Sequence, residues 1–410
     1  MNKLKAKRYA KLLVKCGLNV KKGQTVFINA AVDQTEFVEM VVEECYRAGA
    51  KRVVMEWACD AVTKLDYQYQ SLETLSEVTP WAEAKLKYKA DDLSCRLFIE
   101  SSDPDAMRGS DMEKIAKARQ AQYPVVKPYR DRMENKHQWC IAAAAGKEWA
   151  KKLFPDLSDK QAVDKLWEKI FEASRANGTD PIKDWARHND DLGKKCDYLN
   201  SLKLTALEYK SANGTNFTVG LNKDCIFMGG SESTLAGRYF NANIPSEEIF
   251  TSPKAGVAEG VVYATKPLSY QGQLIEDFSV RFKDGKVVEV KAKKNEELLR
   301  KMVSMDEGAS RLGECALIPY DSPINNTGIL FYNTLFDENA SCHLALGQGF
   351  TNCLVGFETM SQEECKNKGI NDSMIHVDFM IGAQDLSIVG ITESGERVQL
   401  FKDGNWSVEF

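Results

Sequence analysis

The chain has 410 residues, 43% hydrophobic and 28% charged, which is enough material for two cores and too much for one ordinary domain. Its 59 acidic and 54 basic residues give a net charge of -5 without a long run of either sign, so nothing in the balance calls for nucleic acid or an anionic membrane. The longest apolar stretch, around Cys140 to Ala145, is too short to span a bilayer, and the 11 irregularly spaced cysteines contain no CxxC pair, which argues against a disulfide framework or a zinc ribbon. The basic N-terminus leads into an amphipathic pattern instead of a signal core, so a cytoplasmic protein acting on a small or peptidic substrate is expected.

Leu4, Tyr9, Leu12, Leu13 and Cys16 recur at helical spacing up to Gly17. Strands then follow at Gln24–Asn29, Lys51–Trp57, Arg96–Glu100 and Gln138–Ala143, with helices at Glu36–Ala48 and about Met112–Gln122. This alternation implies a parallel sheet covered by helices, an α/β domain over 1–200. Its strand ends carry no GxGxxG or Walker pattern, so the domain is read as scaffold and substrate cleft without a nucleotide, with Ala106–Gly109 and Tyr129-Arg130 as cleft candidates. From Ser158 to about Leu199 the text is helical, broken at Asn177–Pro181, and bridges to the next domain. Past Leu202 strands dominate: Ala206–Lys210 and Asn216–Gly220 flank Asn213-Gly214, and Phe278–Phe282 and Val287–Val290 flank Asp284-Gly285. A mainly antiparallel α+β domain over 201–410, with one helix near Glu296–Met305, is expected to be the metal-binding one.

The run Asp337-Glu338-Asn339-Ala340-Ser341-Cys342-His343 sets carboxylates and an imidazole among small residues, a donor mixture that suits zinc, manganese or cobalt better than calcium. Glu338 and His343 are five apart, so both turn inward only if the backbone bends between them. In Met374–Met380 strict alternation places His376 and Asp378 on one face, roughly 6 to 7 Å apart along the strand. An isolated His-x-Asp is usually a surface strand pair, but the surrounding Ile375, Val377 and Phe379 weaken that reading. Glu248 lies in a stretch bracketed by Pro245 and Pro253, and Glu314 opens an apolar strand where an unpaired carboxylate is costly to bury. If Glu248, Glu314, Glu338 and Asp378 converge, one divalent ion leaves half their charge unbalanced and two balance it. A pair of such ions is machinery for hydrolysis.

At these residues the chain resembles the thermophilic aminopeptidase family of metallopeptidases, M29. The carriers are Asn243–Phe250, Asp306–Ala309 with Leu312–Glu314, Asp321–Ile324, Asn333–Ala340 with His343–Gly347, and His376–Asp378 with Met380–Gly382. The resemblance implies two divalent ions, zinc, cobalt, manganese or magnesium, held by Glu248, Glu314, Glu338, His343, His376 and Asp378, with Glu314 as the bridge. It implies removal of N-terminal residues from peptides with a free N-terminus, and a homodimer. The family's tyrosine seven residues after the metal-binding histidine, thought to assist at the transition state, is Phe350 here. Tyr320, Tyr332 and Arg238 are nearby substitutes in sequence, though each is more simply a packing or surface residue, and Glu247 is a candidate proton shuttle. His137 and His188 are assigned structural or solvent-facing roles. The competing readings are a catalytically weak metal-dependent peptide-binding protein and an amidase for non-peptide amides.

Overall fold

The computed structural model describes residues 1–410, which fall into two compact units. The first comprises Met1–Arg187 and Ser231–Ser246, the second His188–Gly230 and Glu247–Phe410. The chain therefore crosses between units three times, where the sequence suggests a single crossing near residue 200. The returning segment belongs to the first unit because its backbone completes that unit's sheet margin: Ile141 donates to Ala242 O (2.7 Å), Ile244 donates back to Ile141 O (3.0 Å), and Asn241 donates to Gly17 O (2.9 Å).

The first unit holds a four-stranded parallel sheet in the order Arg52–Ala58, Thr25–Ala31, Cys95–Glu100, Trp139–Ala143. Tyr9, Phe37, Trp167 and Phe171 come from three helices and meet at ring separations of 5.1–5.9 Å, fixing the helices to one another through fully or nearly fully buried aromatics. The helix expected to stop near Gln122 runs from Met112 to Met133, through Pro124 and Pro128. Each proline removes a backbone donor, yet side-chain ties along the neighbouring helices hold the segment: Gln122 Nε2 donates to Leu75 O (2.7 Å) and Tyr129 Oη to Glu83 (2.7 Å). The helices Asp60–Tyr69, Leu72–Ser76 and Pro80–Asp92 went unread in the sequence because their apolar residues do not form a buried stripe; the first two bury none of their residues. No helix of the chain is long and apolar enough to cross a membrane.

The second unit packs a nine-stranded antiparallel sheet against a five-stranded one. The smaller sheet runs His376–Met380, His343–Gly347, Leu312–Leu317, Ile249–Thr251, Met228–Gly229. Leu344 and Leu346, Val377 and Phe379, and Cys315 and Leu317 enter the shared core with Phe217, Phe278 and Phe282 of the larger sheet. Alternation then sends His343, His376, Asp378 and Glu314 to the opposite face.

Glu314 reaches that face through a bulge. Leu312 pairs with Leu346, whereas Glu314 pairs with Ala345, so the register slips at Gly313. In a regular strand Leu312 and Glu314 would share a face; the extra residue lets Leu312 enter the core while Glu314 leaves it. Glycine is required there, because a Cβ would lie 2.1 Å from Gln348 O. Gly313→Ala is therefore expected to lower the unfolding free energy by roughly 3 kcal/mol, read as a lower urea midpoint, and to reduce divalent-metal affinity together with it.

Candidate metal centre

Three adjacent strands, the segment leading into Ile249–Thr251 and the end of the helix Thr334–Glu338 deliver the predicted residues to one place in the second unit. Across the sheet, Asp378 pairs with Ala345, which pairs with Glu314, and His376 pairs with Gly347 one step along. Ala345 and Gly347 carry no bulk, so the side chains of the flanking strands meet above them. Gly347 has a φ of +106° and lies against Ile375 O, a position that admits no side chain.

Two donor groups form. Glu248, Glu314 and His343 bring ligand atoms within 4.8 Å of one another, and so do Glu314, His376 and Asp378. Glu314 belongs to both. Its Oε1 lies 3.8 Å from His343 Nε2 and its Oε2 lies 3.1 Å from His376 Nε2. His343 Nε2 also stands 3.6 Å from Glu248 and 3.9 Å from Asp378, and His376 Nε2 stands 3.2 Å from Asp378. Glu338, the fourth carboxylate of the reading, lies in neither triad, yet it is close enough to Asp378, Glu248 and Glu314 to feel their charge.

Both imidazoles are oriented by the backbone. His343 Nδ1 contacts Glu338 O at 2.8 Å and His376 Nδ1 contacts Gln348 O at 2.7 Å. A carbonyl can only accept, so each Nδ1 carries a proton and each Nε2 is turned to the carboxylates, the nitrogen left for a metal to take. The five-residue spacing of Glu338 and His343 is thus met by a bend in which the carbonyl of one holds the ring of the other.

The protonation balance shows what the centre lacks in charge. Burial pushes Glu338 well above the ordinary glutamate value, and Asp378, Glu248 and Glu314 add to it. Burial opposes charge on His343 and His376 as well, but Glu314 and Asp378 outweigh it, raising His343 to about 9 and His376 well above its usual value. Burial is likewise outweighed at Glu314, held low by His343 and His376, and at Asp378, which falls to about 2 beside His376. The buried cluster neutralises itself with protons, the place divalent cations would fill. Asp378 Oδ1 is buried and accepts no hydrogen bond in acceptable geometry despite its nearness to His376, an orphan acceptor suited to a cation. Carboxylate and imidazole donors with one unsatisfied oxygen fit a zinc-, cobalt- or manganese-type ion.

Other expected residues fall elsewhere. Asp337 turns from the cluster and accepts the backbone N–H of Phe331 (2.8 Å) and Asn333 (3.1 Å); burial brings its pKa up to about 7. Phe350 is at the centre, its ring 5.0 Å from His376 and 5.2 Å from Phe250. The His188 side chain is 10% exposed and its Nε2 stands 3.8 Å from Glu247, so it is turned mainly into the protein. His137 is structural, with Nδ1 2.9 Å from Met133 O. Arg238 belongs to the first unit.

Sequence reasoning missed the residues that hold the candidate ligands in place. Asn339 Oδ1 accepts from Glu247 N (2.8 Å) while its Nδ2 donates to Leu335 O (2.9 Å), tying the Glu247-Glu248 turn to the helix ending at Glu338. Asp306 accepts from Met374 N (2.6 Å) and Ser373 Oγ (2.8 Å) and sets the entry to the His376 strand. Ser322 Oγ donates to Ala340 O (2.6 Å). All three stand in the motifs that carry the family resemblance, which was the available signal.

The comparisons agree with one another. The model of the thermophilic metalloprotease family (M29) matches residues 2–406. The chain is 42% identical over 404 residues to aminopeptidase AmpS of Bacillus subtilis, covering 98% of each, and 39% identical over 402 residues to aminopeptidase T of Thermus thermophilus, again covering 98% of each. The solved structure of wild-type AmpT from Thermus thermophilus superposes with a TM-score of 0.90 at 37% identity and full coverage of both chains. Parallel α/β and antiparallel regions in this order, a buried carboxylate–histidine cluster and matches along the whole chain lead to one assignment: the chain belongs to the thermophilic metalloprotease family, M29.

Proposed function

We propose that this protein is a metal-dependent aminopeptidase that hydrolyses the first peptide bond of peptides with a free N-terminus, using two divalent ions held by Glu248, Glu314, Glu338, His343, His376 and Asp378. The observation that carries the two-ion reading is the sharing of Glu314 between two donor triads, one oxygen toward each histidine. The names of the relatives, aminopeptidases throughout, support the substrate class. Zinc, cobalt, manganese and magnesium are the candidate ions. A homodimer in the cytoplasm belongs to the same reading and rests on the family resemblance.

Bound divalent ions would supply polarisation of the scissile carbonyl and a lowered pKa for the attacking water. The residues of the chain do the rest. Glu314 spans the two triads, and the backbone carbonyls of Glu338 and Gln348 keep both histidines in the ligating tautomer. We assign proton transfer between water and leaving amine to Glu247, a buried carboxylate next in sequence to Glu248 and 3.8 Å from His188. Phe350 closes the wall beside His376 but offers no hydrogen bond to a developing oxyanion. That ring favours, as second reading, a peptide-binding protein with weak turnover.

The test uses metal-stripped protein resupplied with zinc, cobalt or manganese and given an unblocked leucyl peptide and its N-acetylated twin. Metal-dependent cleavage of the free-amine peptide alone is expected. Metal binding without cleavage of either peptide would move the binding-protein reading ahead, and cleavage of both would overturn the requirement for a free N-terminus.

A further inference from the structure

Two lysines of the first unit share one carboxylate, and the guanidinium of Arg96 lies on the same face of the sheet. Glu56 receives Lys85 at 2.9 Å on Oε1 and Lys89 at 2.8 Å on both oxygens, and Lys89 is itself only 4% exposed. Arg96 stands on Cys95–Glu100, separated from the strand of Glu56 by Thr25–Ala31; it pairs in register with Phe27, whose ring lies 4.7 Å from Lys89 Nζ, and its own guanidinium lies 4.8 Å from the centre of the Phe98 ring. It is half-buried, and neither Arg96 nor Arg130 makes a side-chain hydrogen bond or ion pair. Burial lowers the pKa of Arg96; Glu56 opposes that shift, and the charge of Arg130 adds to it. The carboxylates of the flanking helices are already engaged: Glu83 accepts the Tyr129 hydroxyl, and Asp91 is paired with Lys87 and Arg132.

A partly desolvated guanidinium without an anion is an unfavourable arrangement, since the lost hydration is returned by nothing in the protein. Glu56 cannot return it, because two ammonium groups already share its oxygens. Arginine presents its donors in a planar fork that matches carboxylate and phosphate oxygens, and the face of Phe98 holds that fork in a fixed plane. We propose that Arg96 and Arg130, backed by Lys89, form a binding site for a small oxyanion, either a phosphate group or the carboxylate terminus of a peptide. The site lies wholly in the α/β unit and does not depend on the aminopeptidase reading.

The probe is inorganic phosphate, titrated into the intact protein by thermal melting against sodium chloride of equal ionic strength. Phosphate is expected to raise the melting temperature above the chloride control, and Arg96→Met to weaken the apparent affinity about tenfold or more. Any phosphate taken by the metal centre is common to both proteins, so the difference reports Arg96. In chloride alone, Arg96→Met is expected to melt at or above the wild type, because an unpaired charge has been removed; a lower melting temperature would show that the guanidinium serves the fold and would overturn the site. Equal phosphate affinities in the two proteins would overturn it too. Arg130→Gln changes an exposed residue, so it reports even if the first variant fails to fold; an affinity loss of about threefold or more is expected, and none would count against the proposal. Displacement of phosphate by an N-acetylated peptide with a free C-terminus but not by its amide assigns a peptide carboxylate, and displacement by neither assigns a phosphate.

Discussion

Glu314→Gln is expected to abolish measurable peptide hydrolysis, with kcat/KM falling about a thousand-fold, equivalent to about 4 kcal/mol of lost transition-state stabilisation. The size follows from position. Glu314 is the residue common to both donor triads, and each of its oxygens faces a different histidine Nε2. The amide keeps one acceptor and turns an N–H toward one imidazole, so one triad loses its ligand and the other keeps a weaker one. Isothermal titration with zinc or manganese should then show fewer ions bound per chain than in the wild type. Because Gln has nearly the same shape as Glu and leaves the bulge at Gly313 in place, the unfolding midpoint of the metal-free protein should not fall. Unchanged metal stoichiometry with wild-type turnover would show that Glu314 is not shared between two ions. Glu248→Gln, which touches one triad alone, is expected to cost less in stoichiometry than Glu314→Gln.

The second large effect runs in the opposite direction. Phe350→Tyr is expected to raise kcat by about a hundred-fold while leaving KM within a few-fold, the pattern of an interaction made only in the transition state. Phe350 already sits against His376 at a ring separation of 5.0 Å, and its backbone N–H is fixed by Ser252 Oγ at 2.7 Å, so a hydroxyl on the ring would be delivered from a held position. The ring is only partly buried, and the added oxygen need not be forced into a dry core. If turnover does not change, another group already serves the oxyanion, and Phe350 is a wall of the site and nothing more.

The legible parts of the chain were those in which a single local rule decides the outcome. Alternation in Met374–Met380 predicts a common face for His376 and Asp378, and the register of the small sheet gives that face a neighbour in His343. The four parallel strands were read from apolar runs between helical patterns, and they stand where those runs are. What escaped depends on tertiary contacts. Asp337 has the same chemistry as Glu338 beside it, and only the loop at Phe331–Asn333 decides which carboxylate is consumed by backbone N–H groups. Pro124 marks a helix end by local rules, yet the helix passes through it because its own side chains Gln122 and Tyr129 are tied to neighbouring helices at Leu75 O and Glu83. Arg96 reads as an ordinary charge in a strand; its lack of a partner becomes visible only when the acids around it are seen to be taken. The bulge at Gly313 is likewise silent in the sequence, since glycine there has no pattern to break.

The return of Ser231–Ser246 to the first unit bears on how the protein can be made and cut. No continuous piece of chain contains that unit alone. A fragment ending near residue 187 or 200 would expose Ile141 N–H and O without the partners at Ala242 and Ile244, and would leave Cys16 O and Gly17 O without Asn241. On the ribosome the last strand of the parallel sheet emerges about a hundred residues before the segment that covers its edge, so that edge waits unprotected while part of the second unit is synthesised. Removal of residues 231–246 as a supposed surface loop would strip the α/β unit of its margin, and the loss would appear as aggregation at the exposed strand before it appeared as any change in chemistry.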